Sequence, residues 1–422
     1  MVPASGSSAT GYGRVIIDQG AMTVTFTVVF NGLSSNQTAA HIHEAGIGVN
    51  GPVAITLGSV GGTAGTLSNT VAITLAQINN IRAGQSYINI HSTNFPGGEI
   101  RGQLGLRRVL DYDGDGQSDY SVLRWPAGAC PGTPQQITQY NLNSTAGFQA
   151  VPWGDACFDF PVPGDYDGDG KEDIAIYRAG ATAGAPSYFF ILRSSDGGAL
   201  IVPFGTFGDQ AVARDYDGDG KTDIAVFRRG ASAAAQTVWW ILQSSNGAVR
   251  VVPFGTTGNG TSNFDTPVPA DYDGDGKVDV AVYRFGLSPA NTFIVLRSSD
   301  SQVRYTQWGN FNTDYIVDGD FDGDGKADYT AVRIGSAGAP LVWFILQSSN
   351  GQARFVPFGV SSGTSGDAPA PGDYDGDGRT DISIWRPGTQ SVYWTLGSFA
   401  NNVIVRPWGV NGDFMVASFG VR

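Results

Sequence analysis

The chain has 422 residues, 60 of them glycine, and sets 38 acidic side chains against 25 basic ones for a formal charge of −13. Its glutamates are only Glu44, Glu99 and Glu172, so strong helix formers are scarce beside turn formers and β-branched residues, which predicts an all-β protein of two or more domains. The negative balance argues against nucleic acid as the main partner and for something cationic. No run of about 20 apolar residues occurs, so no transmembrane segment is predicted. The opening MVPASGSSATG has neither the basic nor the apolar region of an export signal, as expected of a mature chain whose signal has been removed.

Residues 1–106 form the first predicted domain. The segment MTVTFTVVF alternates cleanly, and AAHIHEAGIGVNGPVAITL and SYINIHSTNFPGGEIRGQL are separated from it by turn-rich stretches, the pattern of a β-sandwich. All three histidines of the chain lie here. In a strand, His41 and His43 share a face, and His91 ends the alternating run YINI, which could bring it beside them. Three converging imidazoles would make a site for copper or zinc; the competing reading is hydrogen-bonding histidines packed in a Gly-rich corner. These segments, including HIH and the closing FPGGEIRGQL, resemble the CHRD domain, a likeness that implies a fold and says little about activity. The His-x-His-Glu stretch is also similar to the copper-binding strand of copper-zinc superoxide dismutases, whose bridging histidine and zinc ligands have no counterpart here.

From residue 107 to 422 a unit of 49 to 56 residues recurs six times, marked by DYDGDGQSD at Asp111, DYDGDGKED at Asp165, DYDGDGKTD at Asp215, DYDGDGKVD at Asp271, DFDGDGKAD at Asp320 and DYDGDGRTD at Asp373. Each marker precedes an alternating run ending in Arg, an aromatic run such as VWWILQSS, and a run ending PFG or QWG. A further short strand such as PVPGD leads into the next marker. Four short strands per unit with Gly-rich turns predict propeller blades. Within a marker, carboxylates at positions 1, 3, 5 and 9 can converge on one ion, with the backbone carbonyl of position 7 as a fifth ligand and the Gly at position 6 allowing the curl. The expected ligand sets are Asp111, Asp113, Asp115, Gln117 and Asp119; Asp165, Asp167, Asp169, Lys171 and Asp173; Asp215, Asp217, Asp219, Lys221 and Asp223; Asp271, Asp273, Asp275, Lys277 and Asp279; Asp320, Asp322, Asp324, Lys326 and Asp328; and Asp373, Asp375, Asp377, Arg379 and Asp381.

Hard oxygen donors in this number suit calcium, about six ions in all, rather than magnesium or zinc. An EF-hand would need a bidentate Glu at position 12, which is Val122, Ile176, Val226, Val282, Ala331 or Ile384, so that reading fails. A metal-free Asp/Gly turn is the alternative for any single loop, but six such clusters without counter-ions would repel severely. The repeats resemble the FG-GAP/VCBS propeller family. That resemblance implies a calcium loop between the innermost and second strands of each blade, so PVPGD, DIAIYR, YFFILRSS and ALIVPFG would be the four strands of the second blade, from inside out. The family includes adhesion receptors, lectin-like proteins and accessory modules of secreted enzymes.

After the last blade, GVNGDFMVASFGVR supplies a strand with no calcium loop behind it, and Met415 to Phe419 are expected to close a six-bladed ring against the first blade. A seventh blade built partly from the N-terminal region is the alternative; otherwise the orphan strand could pair with a neighbouring molecule and drive polymerisation. Cys130 and Cys157 fall in two connections of the first blade expected on one face, where a disulfide would close a 26-residue interval and support export; two free thiols are the alternative. The aromatic pairs Trp239/Trp240, Trp343/Phe344 and Tyr393/Trp394 are expected to pack between blades rather than bind sugars. Arg124, Arg178, Arg228, Arg284, Arg333 and Arg386 repeat once per blade, which points to a structural bond. The propeller has no histidine and one glutamate, and no nucleophile elbow, Walker loop or zinc-protease motif. A paired-aspartate hydrolase could draw on Asp155, Asp159, Asp265, Asp314 or Asp318, whose spacing singles out no pair. The expected function is therefore non-enzymatic: a secreted, calcium-binding structural or cell-surface protein able to form a homo-oligomer or filament. A glycan- or protein-binding adhesin is the alternative, with a secreted hydrolase behind both.

Overall fold

The alternation of MTVTFTVVF becomes a strand with two unlike faces. In a computed structural model, β1 (Thr10–Asp18), β2 (Thr23–Asn31) and β5 (Gly65–Ala72) form one antiparallel sheet in the order β1-β2-β5, and β4 (Val53–Gly58), β3 (Gln37–His43), β6 (Ser86–Ser92) and β7 (Ile100–Leu104) form a second in the order β4-β3-β6-β7. Val24, Phe26, Val28 and Phe30 of β2 are buried against Ala40 and Ile42 of β3 and Ile88 and Ile90 of β6. Thr25 and Thr27 face outward and pair with Thr70 and Ser68 across the sheet. The predicted sandwich is thus present, with one addition. Helix α1 (Leu75–Arg82) puts Ile78 and Ile81 into the same core, and Thr74 and Gln77 bond reciprocally across its first turn as a capping box. The structure describes the chain except residues 1–5, 8, 19–20, 46–48, 83–84, 105–108, 127–134, 259–263, 287–290, 311–313, 362–365 and 417–422. It divides into two compact units, made mainly of residues 1–107 and 108–422.

The second unit is a β-propeller of six four-stranded antiparallel sheets. Blade 2 runs from inside out as Asp159–Pro161, Ile174–Arg178, Pro186–Leu192 and Ala199–Thr206, and blades 3 to 6 repeat that order. Blade 1 consists of Tyr120–Arg124, Gln136–Asn143 and Gly147–Asp155, completed on the inside by Asp413–Met415 from the far end of the chain. The orphan strand therefore closes the ring, as expected, which removes it as a free edge for polymerisation. Among the described residues, β1 to β7 pair only with one another.

The closing strand begins earlier than predicted, at Asp413 rather than Met415, and the inner strand of blade 2 likewise begins at Asp159. Both shifts have one cause. The inner strand of every blade opens beside an aspartate that takes a bidentate pair of hydrogen bonds from the repeated arginine: Arg124 with Asp413, Arg178 with Asp159, Arg228 with Asp209, Arg284 with Asp265, Arg333 with Asp314 and Arg386 with Asp367, at 2.6 to 3.0 Å. The arginines stay about one-third exposed while the carboxylates are essentially buried, so geometry this fixed matters more than surface pairing would.

Cores lie between neighbouring blades, including the last and the first. Trp239 and Phe227 of blade 3 pack on Val280 and Val282 of blade 4, Trp343 of blade 5 packs on Ile382 and Ile384 of blade 6, and Tyr393 and Trp385 of blade 6 pack on Tyr120 and Val122 of blade 1. Trp239 and Trp343 are wholly buried, and Trp240, Phe344 and Trp394 pack against the preceding interface. Three outer-strand tryptophans bridge blades directly: the indole N–H groups of Trp153, Trp308 and Trp408 donate to the carbonyls of Phe190, Phe344 and Tyr140. The aromatic repeat is packing, as its two-faced alternation implied.

Candidate metal centres

Each DxDGDGxxD segment curls as its glycines allow. The glycines at positions 4 and 6 have φ between 74° and 100° in all six loops, the left-handed region that side chains disfavour. In the first loop the carboxylate of Asp111 accepts from the N–H groups of Gly114 (2.7 Å) and Gly116 (2.8 Å). The carboxylate at position 9 is the most buried of each set. It accepts from the N–H at position 2 and from the N–H of a serine ending the third strand, the pairs running from Asp119 with Ser144 to Asp381 with Ser398, at 2.6 to 2.7 Å for the serine.

Three carboxylates converge in each of the first four loops. One oxygen from each of Asp111, Asp113 and Asp115 lies within 4.8 Å of the others, as do those of Asp165, Asp167 and Asp173, of Asp215, Asp217 and Asp223, and of Asp271, Asp273 and Asp279. The triplet is positions 1, 3 and 5 in the first loop and positions 1, 3 and 9 in loops 2 to 4. In all four of these loops the position-5 carboxylate accepts the hydroxyl of the third-strand serine, Asp115 from Ser144, Asp169 from Ser194, Asp219 from Ser244 and Asp275 from Ser298. The following residue of each Ser-Ser or Ser-Thr pair holds position 3: Thr145, Ser195, Ser245, Ser299 and Ser349 donate to Asp113, Asp167, Asp217, Asp273 and Asp322. Sequence reasoning passed over these hydroxyl residues, although their recurrence at the end of every third strand was visible.

Position 7 orients the loop by its N–H, which for Gln117, Lys171, Lys221 and Lys277 donates to the carboxylate at position 5. Asp324, Asp377, Lys326 and Arg379 also have partners within their surroundings. Burial, assisted by neighbouring carboxylates, pushes Asp111 and Asp173 up to about 6, Asp119, Asp215, Asp279 and Asp328 to about 7, and Asp271 and Asp381 to about 8. Carboxylates this reluctant to ionise lack a counter-charge. A hard divalent cation among several oxygens supplies one, so the residues present fit calcium.

The loops are also chained to one another. The N–H at position 8 of each loop donates to the carbonyl at position 1 of the preceding one: Glu172 to Asp111, Thr222 to Asp165, Val278 to Asp215, Ala327 to Asp271, Thr380 to Asp320, and Ser118 to Asp373 across the closure, all at 2.6 to 2.8 Å. Lysine stems of position 7 lie over the position-4 glycine of the preceding loop, Lys171 on Gly114 and Lys221 on Gly168. A cluster carboxylate in one blade thus shares its residue with the frame of the next.

The histidines meet as well. His41 Nδ1 lies 3.1 Å from His91 Nε2, His43 Nδ1 donates to the Gly51 carbonyl (2.9 Å), and His91 Nδ1 donates to the Pro96 carbonyl (2.9 Å). Burial, followed by the other imidazoles, lowers the pKa of His41; burial also lowers that of His91, against its bond to Pro96. The ring of His43 stacks on Tyr87, with centroids 4.9 Å apart.

The carboxylates available to a paired-aspartate hydrolase are engaged. Asp159, Asp265 and Asp314 hold the repeated arginines, Asp318 pairs with Arg214 at 3.2 Å, and Asp155 accepts from the N–H of Cys157. Cys130 lies outside the described residues, and with it the expected bridge to Cys157.

Comparison with known proteins agrees with this organisation. Residues 1–104 match the CHRD domain, and residues 195–282 and 320–407 match the FG-GAP-like repeat. No curated protein matches the chain. Among solved structures, AofleA from Arthrobotrys oligospora is 8% identical, covering 67% of this chain and 82% of its own with a TM-score of 0.45. The periplasmic gluconolactonase PpgL of Pseudomonas aeruginosa is 12% identical, covering 71% and 99% with a TM-score of 0.41. Likenesses this distant carry nothing about activity. The chain thus carries a segment matching the CHRD domain, followed by repeats matching the FG-GAP-like family.

Proposed function

We propose that this protein is a secreted, calcium-loaded β-propeller module with a structural or cell-surface role and no catalytic centre. The observation that carries the reading is the chained ring of carboxylate clusters, in which burial and like charge hold aspartates at about 6 to 8 while backbone bonds join loop to loop. Calcium would be held by the converging aspartates of each loop, with the carbonyl of position 7 as a further oxygen. Its chemistry there is neutralisation: six divalent ions would bring the formal charge from −13 to about −1. The chain's own residues do the rest. Serine N–H and hydroxyl groups orient the carboxylates, glycines set the curl, and the loop-to-loop bonds transmit order around the ring. At free calcium about a hundred times the dissociation constant, each site contributes about 2.7 kcal/mol to stability. Extracellular calcium meets that condition for sites of about 10 μM, so folding would be completed after export.

A partner-binding role rests on a different observation. Phe148, Tyr305 and Phe355 stand on outer strands with more than half their surface exposed, Phe148 beside Trp408 and Phe355 beside Phe344, and exposed aromatic surface of this kind suits a glycan or protein ligand. Self-assembly has lost the free strand that first suggested it. Equilibrium dialysis of the chelator-stripped chain against calcium tests the main reading. About six ions per chain are expected, falling by one when Asp271 and Asp279 are both replaced by Asn. Binding of one ion or none would sink it.

A further inference from the structure

We infer that the N-terminal domain holds one transition-metal ion of the copper and zinc class between His41, His43 and His91. The inference is independent of the calcium reading.

The site is built by register. On β3, Ala40 and Ile42 face the sandwich core, which turns His41 and His43 to the other side; on β6, Ile88 and Ile90 do the same for Tyr87, Asn89 and His91. Cross-strand pairing sets His41 opposite Asn89, His43 opposite Tyr87, and His91 opposite Ala39. The outer face of a sandwich sheet is ordinarily wet, yet His43 and His91 are each only 8% exposed and Tyr87 2%. Two segments bring carbonyls to this face, one through Gly51 and one through Pro96.

Those carbonyls fix the tautomers. A carbonyl only accepts, so the Nδ1 atoms of His43 and His91 carry the protons and both Nε2 atoms present lone pairs. Second-shell bonds of this kind orient metal-bound imidazoles. His91 Nε2 has His41 Nδ1 at 3.1 Å. His43 Nε2 is buried and has no hydrogen-bond partner. A hydrogen-bonded histidine cluster accounts for the first contact and leaves the second unexplained, since an unpaired buried acceptor costs free energy.

An ion accounts for both. Metal–nitrogen bonds of 2.0 to 2.1 Å at the tetrahedral angle put ligand atoms about 3.3 Å apart, close to the His41–His91 separation. One nitrogen from each of the three rings already lies within 4.8 Å of the others, so side-chain rotation of about 1.5 Å completes the set. On binding, the proton of His41 Nδ1 moves to its Nε2, and the neutral imidazole donates the lone pair. Three imidazoles select against calcium and magnesium, which want oxygen, and copper(II) is expected to outbind zinc by the ordinary order of divalent affinities. His41 is only half-buried, which leaves the ion a way in and an open position.

The test uses the full chain in excess calcium, exposed to copper(II) or zinc(II) and then dialysed. One equivalent of either metal is expected to remain, with copper displacing zinc and showing nitrogen hyperfine structure in its electron paramagnetic resonance spectrum. His43→Gln and His41→Asn should each weaken retention at least 100-fold. Thermal melting in calcium checks that the variants fold, and His41→Asn, at the half-exposed position, decides the matter if His43→Gln does not. No retained metal, or retention unchanged in His41→Asn, would overturn the inference.

Discussion

The two regions place charge-bearing ligands in opposite ways. Each propeller loop gathers its carboxylates within nine consecutive residues, so the donor set is written in one stretch of chain and repeated six times. The histidine cluster joins residues 50 positions apart, His41 and His91, and exists only if β3 and β6 pair in one register. Local clusters announce themselves in sequence; assembled ones depend on a fold that must first be right. The same contrast governs energetics. The loops bury carboxylates beside one another, which on the calcium reading proposed above makes them dependent on an ion, whereas the sandwich is built on a continuous apolar core.

Breaking the ring should have the largest effect. Deleting residues 411–422 removes the inner strand of blade 1 and the Asp413 partner of Arg124, so the propeller's cooperative transition should be lost while that of the N-terminal sandwich persists. Differential scanning calorimetry in calcium would register one transition in place of two. A smaller loss, about 3 to 5 kcal/mol, is expected for Trp343→Ala, which leaves a cavity between blades 5 and 6. Denaturant titration should find it confined to the propeller. If the sandwich shifts equally, the two regions do not fold as separate units.

The smallest effect is also the most diagnostic of the charge asymmetry. Folded-state values of about 6 to 8 exceed the ordinary carboxylate range, so the folded apo propeller binds more protons than the unfolded chain between about pH 4 and 8. Stability of the chelated protein is therefore full below about pH 4 and declines as pH rises through 6 to 8. Added calcium should flatten or reverse that slope. Melting curves between pH 5 and 8, with and without calcium, would measure it, and a chelated propeller that gains stability over this range would contradict the assignment of the charge.

Much of this was legible in the residues. The marker gave the loops, and the alternating runs gave the strands and their packing faces. Two signals were present and unread. The aspartate that holds each arginine lies 19 residues before it in blades 2 to 6, as in Asp265 and Arg284. In blade 1 that position is Gly105, and the missing aspartate reappears at Asp413. Ring closure is thus encoded as a displaced repeat, and the inner strands were set a few residues late for want of it. Helix α1 was missed because its composition is unremarkable, although Thr74-Leu-Ala-Gln77 is a capping box before Ile78 and Ile81. The serine hydroxyls that reach the position-5 carboxylates could not be read from the marker's spacing, since they are delivered from the third strand.

The central claim is that calcium makes the propeller a rigid object. It is tested most directly by thermal unfolding of the full chain in about 1 mM calcium and again with excess chelator at matched ionic strength. Six linked sites contributing about 2.7 kcal/mol each would together exceed the net stability of an ordinary domain. The expected result is a propeller transition that falls steeply or vanishes on chelation and returns when calcium is restored. A transition at the same temperature in both conditions would show that the aspartate ring is stable without an ion, and the account would be wrong.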